Sequence, residues 1–304
     1  MRIAFSTLAC PDWPIERVAR LAGELAYDGV ELRTLGFGDG PLVCDPALSD
    51  PMKVRGLLAE HGVAPLCLAT SLKFDRCVFP PIIGRAITDQ EREARRATRL
   101  IALGRAMDCP ELRVFAFEAQ GRESRASAVR RILWRLGMAV DAARNTGVRV
   151  LLENGGSFAA GADLADFLDE IRVGWFGACY SVATACHAGE DPVAALDRLG
   201  DRVGVVRLKA HQGGKPCLLA DADDPNEEVV RALAARRFRG TIVVEHDLLW
   251  QDERARASIP TAEDALRHAI ETIYSWMSRS AHRSASGSGH GSGHAATSGV
   301  AVGV

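Results

Sequence analysis

Two glutamates stand where acid–base chemistry is easiest to arrange. Glu153 ends the apolar run Val150, Leu151, Leu152 and precedes the turn Asn154, Gly155, Gly156, while Glu245 ends Ile242, Val243, Val244 and precedes His246 and Asp247. A short apolar run of this kind reads as a strand buried on both faces, and its C-terminal end is where parallel α/β folds bind ligands. Glu153 and Glu245 are therefore the candidate catalytic residues. The structural alternative is that each caps a following helix or pairs with a surface Arg, and the repetition of one design at two places brings the functional reading level with it.

Such residues need a scaffold, and the chain alternates strand and helix patterns. Arg2 to Ser6 forms a short strand, broken by Pro11 and Pro14, after which Ile15, Val18, Ala22 and Leu25 mark one buried helix face. Further strands are expected at 30–33, 64–70, 112–117, 148–153, 175–181, 203–209 and 240–245. Helices are expected at 52–61, 89–107, 129–143, 164–171 and 227–236, with a short one opened by Asp191-Pro192 and a last one at 261–276 capped by Thr261. Gly62 and Asn145-Thr146-Gly147 read as helix stops. Residues 34–50 and 71–88 read as long loops, the second long enough to be a functional loop or lid.

Strands alternating with helices in this number match a (β/α)8 TIM barrel, which typically takes ~250 residues. The fold expected is thus an α/β barrel forming one domain over 1–278, followed at 279–304 by a Ser/Gly/His tail too poor in apolar residues to be ordered. A doubly wound open sheet is the alternative, but no GxGxxG turn follows the first strand.

Composition narrows the partners. A formal net charge of −2 gives no electrostatic footprint for nucleic acid or an anionic membrane, so a small molecule is the expected ligand. No window approaches the ~18 apolar residues of a membrane span, and the start of the chain lacks a signal-peptide apolar region. The 8 cysteines include no CxxC pair and read as buried hydrophobes of a reducing, cytoplasmic compartment. Oligomeric state is open, a homo-oligomer being one option.

The pieces MRIAFST, DGVELR, TSLKF, LRVFAF, LLENGGSF, AGEDP, VVRLKAH and VVEHD, in this order, resemble the xylose isomerase-like TIM barrels of the sugar-phosphate isomerase/epimerase superfamily. The resemblance covers roughly residues 1–278 and implies proton transfer beside a carbonyl of a sugar or sugar phosphate. It also implies a divalent metal (Mn, Mg, Co or Zn) held by the strand-five and strand-eight Glu, an Asp near the end of strand six and a His on strand seven. Glu153 and Glu245 match two of these four. The Asp position holds Ser181, with Thr184 at a nearby family His position, and the strand-seven HxKD pattern reads Arg207, Leu208, Lys209, Ala210. DNA repair endonucleases share the barrel, but the resemblance there implies three metals and a fuller His set.

That departure has physical weight. A hydroxyl in place of a carboxylate removes a charge and a strong donor, and a guanidinium is a permanent cation where another cation would sit. Facing carboxylates need positive charge between them, which places Arg207 in the position of the metal, paired with Glu153, Glu245 or both. Lys209 shares its side of the strand by period-two alternation. Two other readings stay open: Arg207 merely neutralises leftover carboxylates, or a metal is held through His187, His211 and His246.

Candidate substrate contacts are Glu31, Arg113, Asn154, Arg207, Lys209, His211 and His246, with a structural Glu31–Arg113 rim pair as the alternative for those two. Gly213, Gly214 and Lys215 form either a phosphate cradle or a plain turn. Trp13, Phe37, Phe74 and Trp250 are candidate pocket walls. The function expected is a sugar or sugar-phosphate isomerase or epimerase, or a related lyase. The alternative is a catalytically lapsed barrel that binds a sugar-like ligand or partner.

Overall fold

Apolar runs such as Ile242, Val243 and Val244 become strands here because both of their faces are covered, by helices outside and by neighbouring strands' side chains inside. The computed structural model describes residues 1–34, 50–77, 89, 91–121 and 123–286, with side chains to 279. Its strands are β1 (Arg2–Ser6), β2 (Gly29–Arg33), β3 (Ala64–Lys73), β4 (Glu111–Phe115), β5 (Arg149–Glu153), β6 (Phe176–Ser181), β7 (Val203–Lys209) and β8 (Thr241–Glu245). All pair in parallel with their sequence neighbours, and β8 pairs back to β1 with Phe5 opposite Val244, so the sheet closes into a barrel. The expected fold is the observed one.

Between the strands lie α1 (Ile15–Glu24), α2 (Pro51–Glu60), α3 (Arg92–Ala106), α4 (Arg125–Ala142), α5 (Gly161–Glu170), α6 (Val182–His187), α7 (Pro192–Leu199), α8 (Asn226–Ala235), α9 (Glu253–Arg256) and α10 (Ala262–Ser286). Ile15, Val18 and Ala22 are buried against the barrel as their spacing requires, and Gly62 takes φ +70° to end α2. Asp50 and Asp191 cap α2 and α7 through their carboxylates.

Several boundaries differ from expectation, and three of them bear on the site or on the extent of the barrel domain. β3 runs on to Lys73, because Lys73 still pairs with Phe115, so 71–73 belong to a strand and not to a loop. The short helix α6 follows β6 directly, at residues 182–187 where no element was expected. The last helix continues to Ser286, past the expected domain end at 278, since no Gly or Pro interrupts it before Gly287. Phe37, Cys44 and the Phe79-Pro80-Pro81 stretch lie outside the described residues, as do 287–304.

Inside the barrel Ala4, Leu66, Cys67, Leu151, Cys179, Val205 and Val243 form a small apolar plug. Side chains in strands repeat their direction every second residue. Two steps beyond Leu151, Val205 and Val243 come Glu153, Arg207 and Glu245, so the sequence stacks this charged layer directly on the apolar one, at the C-terminal rim.

Candidate active site

The centre of the charged layer is the guanidinium of Arg207, a side chain only 2% exposed. Its Nη1 lies 2.7 Å from Glu31 Oε2 and 3.6 Å from Glu153 Oε2, and its Nη2 lies 2.8 Å from Glu245 Oε1. Burial alone disfavours the charge of Arg207, but Glu245, Glu31 and Glu153 outweigh it and hold the guanidinium pKa well above its ordinary value. Glu245 is moved up from the usual carboxylate range: burial raises it, and Arg207 and Lys209 only partly oppose that. Arg113 supplies a second cation, its Nε 3.2 Å from Glu153 Oε2 and its guanidinium 4.5 Å from the centre of the Phe115 ring. Cys179 Sγ, at 3.7 Å, donates to the same Glu153 oxygen.

A second cluster adjoins the first. Lys209 Nζ is 2.5 Å and His211 Nε2 3.3 Å from Oδ2 of the buried Asp247. Burial lowers the Lys209 pKa, yet Glu245 and Asp247 win and leave it raised. Asp247 is held low despite burial, by the nearby His211 and Lys209. Above both clusters opens a cavity of 510 Å³, a volume suited to a small molecule, walled by Leu8, Phe115 and Trp250 and floored by Arg113, Glu153, Arg207, Lys209 and Glu245.

Of the candidate residues, Glu153, Glu245, Arg113, Arg207, Lys209 and His211 line this cavity, and Glu31 lies wholly buried behind Arg207. The Glu31–Arg113 rim pair does not form: Glu31 pairs with Arg207 and Arg113 with Glu153, because Glu31 sits inside the barrel and not on its edge. Asn154 and His246 are not among the lining residues. Asn154 donates to the carbonyls of Ala159 and Ser181 and accepts from Ser181 N, tying β5 to β6, and His246 Nε2 is 2.9 Å from Pro260 O. Of the aromatic candidates, Trp250 lines the cavity, Phe74 is in the core and Trp13 stacks with Arg17 elsewhere. Gly213 and Gly214, at φ +54° and +78°, make the tight turn of a small hairpin, and Gly213 N donates to Asp223 Oδ2, so a carboxylate already takes that amide.

Sequence reading passed over Arg33, which lines the cavity, and Asp247, which anchors Lys209 and His211. Arg33 follows Glu31 by two positions on β2, the same period-two relation that linked Arg207 to Lys209, so the signal was present.

The sequence matches the family of xylose isomerase-like TIM barrels over residues 19–276. The chain belongs to this family. No curated protein sequence matches it. Among solved structures, the xylose isomerase-like barrel is similar to an L-ribulose 3-epimerase, with 15% identity, TM-score 0.76 and coverage of 96% of this chain and 99% of the other. It is similar to the 3-keto-D-glucoside 4-epimerase YcjR of E. coli, with 15% identity, TM-score 0.67 and coverage of 90% and 99%. It is also similar to the IOLI protein with a bound zinc atom, with 12% identity, TM-score 0.71 and coverage of 92% and 99%.

The divalent metal that the family implies does not fit the residues present. Glu153 and Glu245 are there, but the guanidinium of Arg207 fills the space between them, and Ser181 Oγ is engaged with Thr184 Oγ1 at 2.9 Å. Of the three histidines of the other metal reading, His187 and His211 line the cavity and His246 does not. His187 Nδ1 is bound to Ala183 O at 2.6 Å and His246 to Pro260 O, and among the described residues no group of three His, Cys, Asp or Glu is placed to hold an ion.

Proposed function

We propose that this xylose isomerase-like barrel is an isomerase or epimerase of a sugar-like substrate and that it moves a proton beside a carbonyl with side chains alone. The observation that carries this reading is one fixed cation, Arg207, held against two carboxylates that both face an open cavity.

Glu153 takes the proton from the carbon next to the carbonyl. The electron pair of that C–H bond moves onto the carbonyl oxygen, and Arg207 and Lys209 stabilise the negative charge that develops there. Glu245, whose burial favours its protonated form, returns a proton to carbon. Delivery to the opposite face of the same carbon gives an epimer; delivery to the neighbouring carbon, as the adjacent hydroxyl passes its proton to the former carbonyl oxygen and becomes the new carbonyl, gives an isomer. A guanidinium grips two substrate oxygens less rigidly than a chelated ion, so the walls of the cavity must do more of the positioning.

The test is exchange of the substrate C–H for deuterium in D2O, followed by NMR over a panel of ketoses, aldoses and sugar acids. Glu153→Gln and Glu245→Gln each lower exchange by at least about 100-fold if they are the proton carriers. Exchange that neither substitution lowers refutes the assignment. A second reading, a barrel that binds such a ligand without turnover, is favoured by the ion pairs that engage both acids. Saturable binding without exchange in the wild type decides for it.

A further inference from the structure

Among the described residues, the cations of the cavity differ in whether a carboxylate lies in ion-pair contact. Arg207 takes Glu31 and Glu245, Arg113 takes Glu153, and Lys209 takes Asp247. Arg33 lines the same cavity and makes no ion pair with a carboxylate among the described residues. It is held from behind, Nη1 donating to Thr70 O at 3.0 Å and Nη2 to Ser71 Oγ at 2.9 Å. These partners are neutral, so they fix its position without forming an ion pair. Burial, then the charges of Arg113 and Arg207, pull its pKa down to about 10, with Glu31 and Glu153 only partly opposing.

We infer that the β2–β4 side of the cavity, at Arg33 beside Arg113, is an anion subsite, and that the ligand is a sugar acid whose carboxylate docks there. An anion beside Arg33 relieves the repulsion among the three guanidinium groups and satisfies a charge that neutral acceptors cannot. The same carboxylate, anchored on one wall, leaves the hydroxylated carbons of the ligand over Glu153 and Glu245. A sugar phosphate offers anionic chemistry too, but the Gly213 amide of the turn that would cradle it is already taken by Asp223. This inference rests on the reading of the cavity as a sugar-like ligand site, and it concerns affinity, not turnover.

Isothermal titration of the full chain separates the possibilities. The probes are C5 and C6 aldonates and uronates, the neutral aldoses of the same carbon skeleton, and the corresponding sugar phosphates. At least one acid binds ten-fold or more tighter than its neutral partner, Arg33→Met removes that preference, and Arg33→Lys keeps most of it. The overturning results are equal affinity for acids and neutral sugars, no binding of any acid, a preference that survives Arg33→Met, or tighter binding of the phosphates. The wild-type comparison stands even if Arg33→Met folds poorly, and urea unfolding identifies that case. A preference for acids together with no deuterium exchange leaves the subsite in place and removes only the proposed reaction.

Discussion

Oε2 of Glu31 lies 2.7 Å from Nη1 of Arg207, and neither side chain is more than 2% exposed. This is the deepest ion pair of the charged layer, and the other oxygen of Glu31 has no hydrogen-bond partner. Glu31 therefore depends on Arg207 for its charge to be tolerated in the barrel.

Arg207→Ala strands Glu31, Glu153 and Glu245 around an empty volume, and breaking a buried pair by removing one partner destabilises by about 3–5 kcal/mol. Urea unfolding measures the loss. The vacated carboxylates then attract a cation in its place, so added Mn²⁺ raises the unfolding midpoint of the variant and leaves the wild type unchanged. An equal rise in both would show that the guanidinium does not hold the position of a metal.

Asn154 is 1% exposed and bonds backbone groups of Ala159 and Ser181, so its work is to hold β5 and β6 in register beneath Glu153. Asn154→Ala leaves buried partners unsatisfied and costs about 1–3 kcal/mol in urea unfolding. Ligand affinity of the folded variant stays within about two-fold of wild type, where removal of a direct ligand contact would lower it by ten-fold or more. A large affinity loss without a stability loss returns Asn154 to the substrate contacts.

The barrel was legible because apolar runs, glycine stops and caps act locally, and each strand places its last inward residue by a simple two-step count. Glu153 and Glu245 were read from the ends of apolar runs, Arg207 from the strand-seven pattern of the resemblance, and Lys209 from that count. Which carboxylate meets which cation did not, because partners such as Glu31 and Arg207 are 176 positions apart and their contact depends on barrel closure. Asn154 and His246 were misplaced for a related reason. A polar residue just past a strand end can turn toward the cavity or back onto the backbone, and only the carbonyls of Ser181 and Pro260 decide it.

Lys209 is held in its charged form by Glu245 and Asp247 against the opposing effect of burial. Asp247→Asn removes one of these carboxylates and lowers the Lys209 pKa. The free amine fraction at pH 8 then rises, and Lys209 acetylates faster by several-fold, read by peptide mass spectrometry after brief reagent exposure. Unchanged labelling would mean that Asp247 does not govern this lysine.

At the opposite end of the barrel Glu111, the first residue of β4, is 6% exposed, and Oε2 has no hydrogen-bond partner. Burial pushes its pKa from 4.5 up to about 7, with Arg2 and Arg149 only partly opposing. The folded chain therefore keeps this proton between about pH 4.5 and 7 while the unfolded chain has released it. Since the folded state binds more protons there, stability falls as pH rises through that window and levels off above it. The fall from Glu111 is at most about 3–4 kcal/mol, at about 1.4 kcal/mol per pH unit. Glu245, also raised by burial, adds a slope of the same sign, so Glu111→Gln flattens the curve without abolishing its tilt. The measurement is the urea midpoint of wild type and variant from pH 4.5 to 8. The idea fails if the two curves run parallel, because a side chain that carries no titrating proton cannot remove a slope it never caused.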